Sequence, residues 1–262
     1  MPWKSSIKGF LLDVTGVLYN SAPDGIGEVI PGAIEAVKRL YATSNVRFLS
    51  NESTSTREEL HKKLQKLGFD ISLDHLFTPA PVCARYLRAK SMRPHLLVKE
   101  GVEAEFAECD QMNPNCVVMG DAEEGFTYDA LNEAFRVLYN MSDPHLISLG
   151  NGKFYKRIDG PCLDVGGFAQ ALIYATDCRH TVIGKPSPEY FNAALEDMGL
   201  RKESVVMIGD DILSDCGGAM KHGLKSVLVR TGKWKSDWEN HASVRPDLIA
   251  DSLQAAVDTI LG

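Results

Sequence analysis

The chain has 262 residues, 44% of them hydrophobic and 24% charged, and a formal net charge of −7. That balance excludes a disordered chain and gives enough apolar material for a large core divided between two domains. The acidic excess, with no basic stripe of interleaved aromatics, argues against nucleic acid or an anionic membrane as the main partner.

The opening residues, Met1 to Lys8, lead directly into a strand-length apolar run, too short for a signal peptide or a membrane span. A cytoplasmic protein is therefore expected, with the nucleus also open. Phe10-Leu11-Leu12 reads as a buried strand that ends at Asp13. A loop of small residues follows from Ser21 to Gly27, then Pro31-Gly32 and a helix through Leu40. The next strand, 46–50, delivers Ser50-Asn51, and an amphipathic helix from Thr56 to Leu67 stops at Gly68. Thr78-Pro79-Ala80-Pro81 reads as a domain boundary. Beyond it the pattern predicts a helix from Cys83 to Lys90, strands at His95–Lys99 and Cys116–Met119, a helix from Tyr128 to Tyr139, a strand at His145–Leu149 and a helix from Gly166 to Thr176. The core is expected to resume at Thr181-Val182-Ile183. It continues through the strand Val205–Ile208, which ends in Gly209-Asp210-Asp211, to a C-terminal helix at Leu253–Leu261.

The alternation of strands and helices predicts an α/β fold with a Rossmann-like parallel sheet, its core built from residues 1–80 and 181–262 and interrupted by an α/β domain over residues 81–180. In such folds ligands bind at the carboxyl ends of the strands. Asp13, Ser50 and Asp210 all fall there. Gly184-Lys185-Pro186 follows another apolar run and adds a cation.

Residue type then suggests the chemistry. Asp13, Asp210 and Asp211 are hard oxygen donors suited to Mg²⁺ bound beside a phosphate. A carboxylate in that setting can attack phosphorus and form an aspartyl-phosphate that water hydrolyses. Lys185 would neutralise charge shared by Asp13 and the transferring group, and Ser50 with nearby backbone amides would bind phosphate oxygens. Asp211 and Asp215 stand four residues apart, so on a helix they would face one side and support the site from behind it or through water.

Competing motifs are weaker. Neither Gly150-Asn151-Gly152-Lys153 nor Gly184-Lys185 has the spacing of a nucleotide-binding P-loop. The seven histidines show no paired metal-ligand spacing, against zinc. The six cysteines, with no Cys-x-x-Cys pair, read as reduced thiols. Gly150 to Arg157 carries three cations and two aromatics on a glycine-rich segment. It reads equally as a substrate-facing loop or as an exposed hairpin.

The order Asp13-x-x-Gly16-Val17-Leu18, Ser50-Asn51, Gly184-Lys185-Pro186 and Gly209-Asp210-Asp211-x-x-x-Asp215 resembles the haloacid dehalogenase superfamily of phosphatases. The resemblance implies Mg²⁺ held by Asp13, the Thr15 carbonyl and Asp210. It also implies catalysis by Asp13, Thr15 and Lys185, with substrate contacts from Asp13, Val14, Thr15, Ser50, Asn51 and Lys185. The inserted domain would be a C2-type cap, and the protein a homodimer through that cap.

One departure matters: most of these phosphatases carry a second Asp two residues after the nucleophile, as general acid and base. Here that residue is Thr15, whose hydroxyl is too weakly acidic to protonate an alkoxide near neutral pH. Leaving groups that need little help, the phosphate of pyrophosphate or the nitrogen of a phosphoramidate, are expected instead. The stretches around Leu67–Ser72, Asn113–Val118 and Leu163–Gly166 resemble a branch of the superfamily associated with that substrate class. The substrate could then be a small phosphorylated molecule or a phosphorylated protein side chain. A phosphate-monoester phosphatase of the same fold, and a regulatory phosphate sensor with weak activity, remain as alternative readings.

Overall fold

The computed structural model describes residues 2–22, 25–157 and 160–262. In chain order the strands are β1 (Gly9–Leu12), β2 (Tyr19–Asn20), β3 (Glu28–Val29), β4 (Asn45–Leu49), β5 (Leu76–Phe77), β6 (Pro94–Leu97), β7 (Cys116–Met119), β8 (His145–Ser148), β9 (Phe154–Arg157), β10 (Gly160–Leu163), β11 (Arg179–Val182), β12 (Val205–Gly209), β13 (Lys225–Val229) and β14 (Leu248–Ala250). The α-helices are α1 (Ala33–Thr43), α2 (Arg57–Lys66), α3 (Pro79–Ala89), α4 (Tyr128–Tyr139), α5 (Val165–Thr176), α6 (Pro188–Met198), α7 (Gly218–His222) and α8 (Leu253–Leu261).

Two compact units result. The first comprises Met1–Ser50, Leu60–Phe77 and Lys185–Gly262, and the second Asn51–Glu59 and Thr78–Gly184. The first unit holds a six-stranded sheet in the order β14-β13-β12-β1-β4-β5, every pairing parallel. Its central strands read as unbroken apolar runs because helices cover both faces. Phe10, Leu12, Phe48, Val206 and Ile208 pack under α1 and α8 with Ala33, Leu40, Leu253 and Val257, all fully or almost fully buried. Each large apolar side chain among them contributes about 1.5–3 kcal/mol through removal from water. Arg47 interrupts the run in β4 and stays buried because Asp197 accepts from its Nε at 2.5 Å and Asn45 Oδ1 from its Nη1 at 2.7 Å.

The second unit has a four-stranded parallel sheet, β11-β8-β7-β6, with its own core of Val117, Met119, Leu146, Ala134, Leu138 and Ala169 between the sheet and α4 and α5. The segment Gly150–Arg157 leads into an antiparallel hairpin of β9 with β10. The side chains of Lys156 and Arg157 lie outside the described residues, as do residues 23–24 of the expected small-residue loop. No helix among the described residues is long and apolar enough to cross a membrane.

One expectation changes. Thr181-Val182 does not resume the core: β11 runs parallel to β8 in the second sheet, and the first unit restarts at Lys185. An apolar run of strand length specifies a strand but not which sheet it joins. Thr78-Pro79-Ala80-Pro81, read as a domain boundary, opens the long segment of the second unit, Thr78–Gly184. It is the entry to α3, with Thr78 extended and Pro79 at the first helical position, where a missing N–H costs nothing.

Candidate active site

Asp13 sits just beyond β1, and its backbone N–H donates to the Ile208 carbonyl at 2.9 Å, continuing the ladder by one residue. The chain then turns: Gly16 adopts φ +91° and donates to the Tyr19 carbonyl at 2.7 Å, a conformation in which a side chain is strained. Asp210 follows β12. Lys185 lies at the start of the segment leading into α6, next to Pro186.

These three residues converge with Asp215. Lys185 Nζ donates to Asp13 Oδ1 at 2.5 Å and lies 2.8 Å from Asp215 Oδ1. Asp13, Asp210 and Asp215 each offer a carboxylate oxygen within 4.8 Å of the others, a group that could hold a metal ion. All are buried, Asp215 completely.

Burial would push the Lys185 ammonium down, but Asp13 and Asp215 beside it outweigh this and hold it above its ordinary value. For Asp210 the balance runs the other way. Burial, and then the neighbouring charges of Asp13 and Asp215, raise its carboxyl to about 9 against the opposing pull of Lys233. Asp215 is raised by burial to about 7, with Lys185 also pulling it down. Negative charge is in excess, and Asp210 Oδ1 is buried without a hydrogen-bond partner among the described residues. A divalent cation would satisfy that oxygen and neutralise the excess charge, so the donor set fits one.

Asp215 therefore stands in the carboxylate group itself, whereas the sequence had it, with Asp211, supporting the site from behind or through water. The reason is local. Residues Ile212–Gly217 form a π-helical turn, wider than an α-helix, and Cys216 N–H reaches back five residues to the Asp211 carbonyl at 3.3 Å. Asp215 folds towards Gly209, where a Cβ would lie 2.1 Å from its Oδ2, and it accepts from the Asp211 N–H at 3.0 Å. The Asp211 side chain is occupied as a cap, accepting from Leu213 and Ser214 N–H at 2.9 and 3.0 Å.

Ser50 follows β4 and is 4% exposed. Its N–H donates to the Phe77 carbonyl at 3.0 Å. The Tyr190 hydroxyl, fully buried, lies 2.6 Å from the Ser50 carbonyl and 2.7 Å from the Phe77 carbonyl. Burial, and after it the Asp13 charge, push that phenol well up. Tyr190 thus pins the Ser50 strand end. Its place in the first turn of α6, within Pro188-Glu189-Tyr190, carries no local signal for this. Thr15 is half-buried and its Oγ1 donates to the Tyr19 hydroxyl at 3.3 Å. The Val14 side chain is buried in the core, leaving only its backbone for a ligand. Asn51 belongs to the second unit, where Gly184 packs against it.

A parallel sheet whose strand ends gather three carboxylates and a buried lysine is the frame of a hydrolase of one family. The sequence pattern described as haloacid dehalogenase-like hydrolase matches residues 10–111, and a HAD-hydrolase-like pattern matches residues 182–256. The chain belongs to the haloacid dehalogenase-like hydrolases. It is 50% identical to the phospholysine phosphohistidine inorganic pyrophosphate phosphatase of Danio rerio over 257 residues, covering 98% of this chain and 95% of that protein. With the protein of the same name from Homo sapiens it shares 46% over 264 residues, 99% of this chain and 97% of that one. Among solved structures, a 4-nitrophenylphosphatase from Thermotoga maritima superposes with a TM-score of 0.88 at 24% identity, covering 98% of this chain and 99% of that chain, a likeness of fold.

Proposed function

We propose that this hydrolase is a Mg²⁺-dependent phosphatase that cleaves P–N and P–O–P bonds through a phosphorylated Asp13. The observation that carries the reading is the Asp13–Lys185 pair at 2.5 Å, buried beside two further carboxylates. The names of the relatives, phospholysine phosphohistidine inorganic pyrophosphate phosphatase, support the choice of bonds.

In this reading Asp13, Asp210 and Asp215, with the Thr15 carbonyl, are the candidates to hold the cation. When bound, Mg²⁺ supplies charge neutralisation at the phosphoryl oxygens. Lys185 holds Asp13 aligned, so that one carboxylate oxygen attacks phosphorus while the bond to the leaving phosphate oxygen, or to a nitrogen that takes a proton from solvent, breaks. Ser50 and the Val14–Thr15 backbone receive the phosphoryl oxygens. Water then attacks the same phosphorus, releasing inorganic phosphate and restoring Asp13. Thr15 supplies no carboxylic acid for the first step, which favours leaving groups that depart without one.

The second unit corresponds to the cap domain that the resemblance implies. Its exposed aromatics on α4 and α5, Tyr128 at 84%, Tyr139 at 70% and Tyr174 at 91% exposed, support a homodimer formed through that unit.

The test is phosphate release with Mg²⁺ from pyrophosphate, a phosphoramidate, a phosphohistidine peptide and an aryl phosphate, with Asp13→Asn as blank. Preference for the P–N or P–O–P substrates is expected. Preference for the aryl ester would make the protein a monoester phosphatase of the same fold.

A further inference from the structure

The loop after β13, Thr231-Gly232-Lys233, lies outside the sequence motifs yet meets Asp210 closely. The Lys233 N–H donates to Asp210 Oδ2 at 2.6 Å. Thr231 Oγ1 donates to the Gly16 carbonyl at 2.5 Å, tying this loop to the turn that follows Asp13. Gly232, at φ +57°, leaves no room for a side chain: a Cβ would stand 1.9 Å from Asp210 Oδ2 and 2.5 Å from Gly16 Cα. A Cβ on Gly16 would stand 2.0 Å from the same oxygen. Oδ2 is thus wedged between two glycine backbones and held by an N–H, while Oδ1 is buried with no hydrogen-bond partner among the described residues.

A carboxylate held in this way cannot swing to present both oxygens. Ca²⁺ takes about six to eight oxygen ligands in flexible geometry, frequently both oxygens of one carboxylate, whereas Mg²⁺ demands a compact octahedron with one oxygen from each. The geometry points to Thr231-Gly232-Lys233 as a clamp that fixes Asp210 as a one-oxygen ligand and so selects a small divalent cation over Ca²⁺. The inference rests on the reading of Asp13, Asp210 and Asp215 as a cation site. It assigns positioning roles to Thr231, through its hydroxyl, and to Lys233, through its backbone N–H.

The experiment is calorimetric titration of the EDTA-stripped full chain with MgCl₂ and, separately, CaCl₂, for the wild type, Thr231→Val and Gly232→Ala. Thr231→Val keeps the side-chain shape and removes only the donor to Gly16, and its thermal midpoint serves as the check on folding. Wild type is expected to prefer Mg²⁺. Thr231→Val should weaken Mg²⁺ about 10-fold and Gly232→Ala about 100-fold, the range seen when groups that orient a metal ligand are lost. Ca²⁺ should weaken less, so the Mg²⁺-to-Ca²⁺ preference falls in both. A folded Thr231→Val with the wild-type preference, or a wild type that binds the two ions equally, would overturn the clamp. A wild type that binds neither ion would overturn the cation site beneath it instead.

Discussion

The two sheets share one architecture and differ in what stands at their carboxyl edges. In the first unit, β1 and β12 end in Asp13 and Asp210, and Lys185 and Asp215 join them from other segments. In the second, β7 is followed by Gly120-Asp121 and β8 by Leu149-Gly150. Asp121 is also buried, and its carboxyl is raised by that burial, but neutral partners meet it: Ser53 Oγ accepts from its N–H at 3.4 Å, its Oδ1 accepts from Glu123 N–H at 3.2 Å, and the Tyr155 hydroxyl hydrogen-bonds to its carboxyl. A parallel sheet is a scaffold that offers strand ends. A site arises only where like charges converge and a buried cation or a metal offsets them.

The sharpest way to break the comparison is to neutralise one carboxylate in each unit. Asp13→Asn should lower phosphate release from pyrophosphate by more than about 1000-fold, as loss of a nucleophile does. Asp121→Asn, which replaces a carboxyl already driven towards its neutral form, should leave turnover measurable and stability within about 1 kcal/mol. Equal losses in the two variants would count against the first unit as the seat of chemistry.

Lys185→Met should come next. It leaves Asp13 and Asp215 buried without their cation, and breaking such a pair costs about 3–5 kcal/mol. Urea midpoints should show that loss, while Lys99→Met, which removes a partly exposed partner of Glu123 in the second unit, should cost under about 1 kcal/mol. Thr15→Asp tests the leaving-group argument. The ratio of aryl phosphate to pyrophosphate turnover should rise by about 100-fold, within the usual reach of general acid catalysis, and an unchanged ratio would remove Thr15 as the reason for bond preference.

The smallest effect concerns pH. Asp210 and Asp215 have folded-state values raised to about 9 and about 7, above the unfolded carboxylate. The metal-free folded protein therefore binds more protons than the unfolded chain across that window. The contribution of these two groups to stability should be fully present below the unfolded carboxylate value and fall as pH rises through about 7 and then about 9. A divalent cation on these carboxylates, Mg²⁺ in the proposed function, would compete with those protons, so its stabilising effect should grow with pH. Thermal midpoints with Mg²⁺ and with EDTA, measured across this range, check the sign.

Much of this was legible in the chain. Asp13 after Phe10-Leu11-Leu12 and Asp210 after Val205–Ile208 were placed by short apolar runs, because a buried parallel strand must be continuously apolar and its first polar residue marks its end. Thr15 in place of a second Asp was likewise visible, since a threonine hydroxyl is too weak an acid to replace a carboxylic acid whatever surrounds it. Tertiary structure decided the rest. Asp215 joined the carboxylates because a π-helical turn changed the period assumed for a helix. β11 joined the second sheet because pairing is a choice between partners far apart in the chain. The packing of Thr231-Gly232-Lys233 around Asp210 brings together loops as distant in sequence as Gly16 and Thr231, and no local pattern records a contact made only when the sheet has closed.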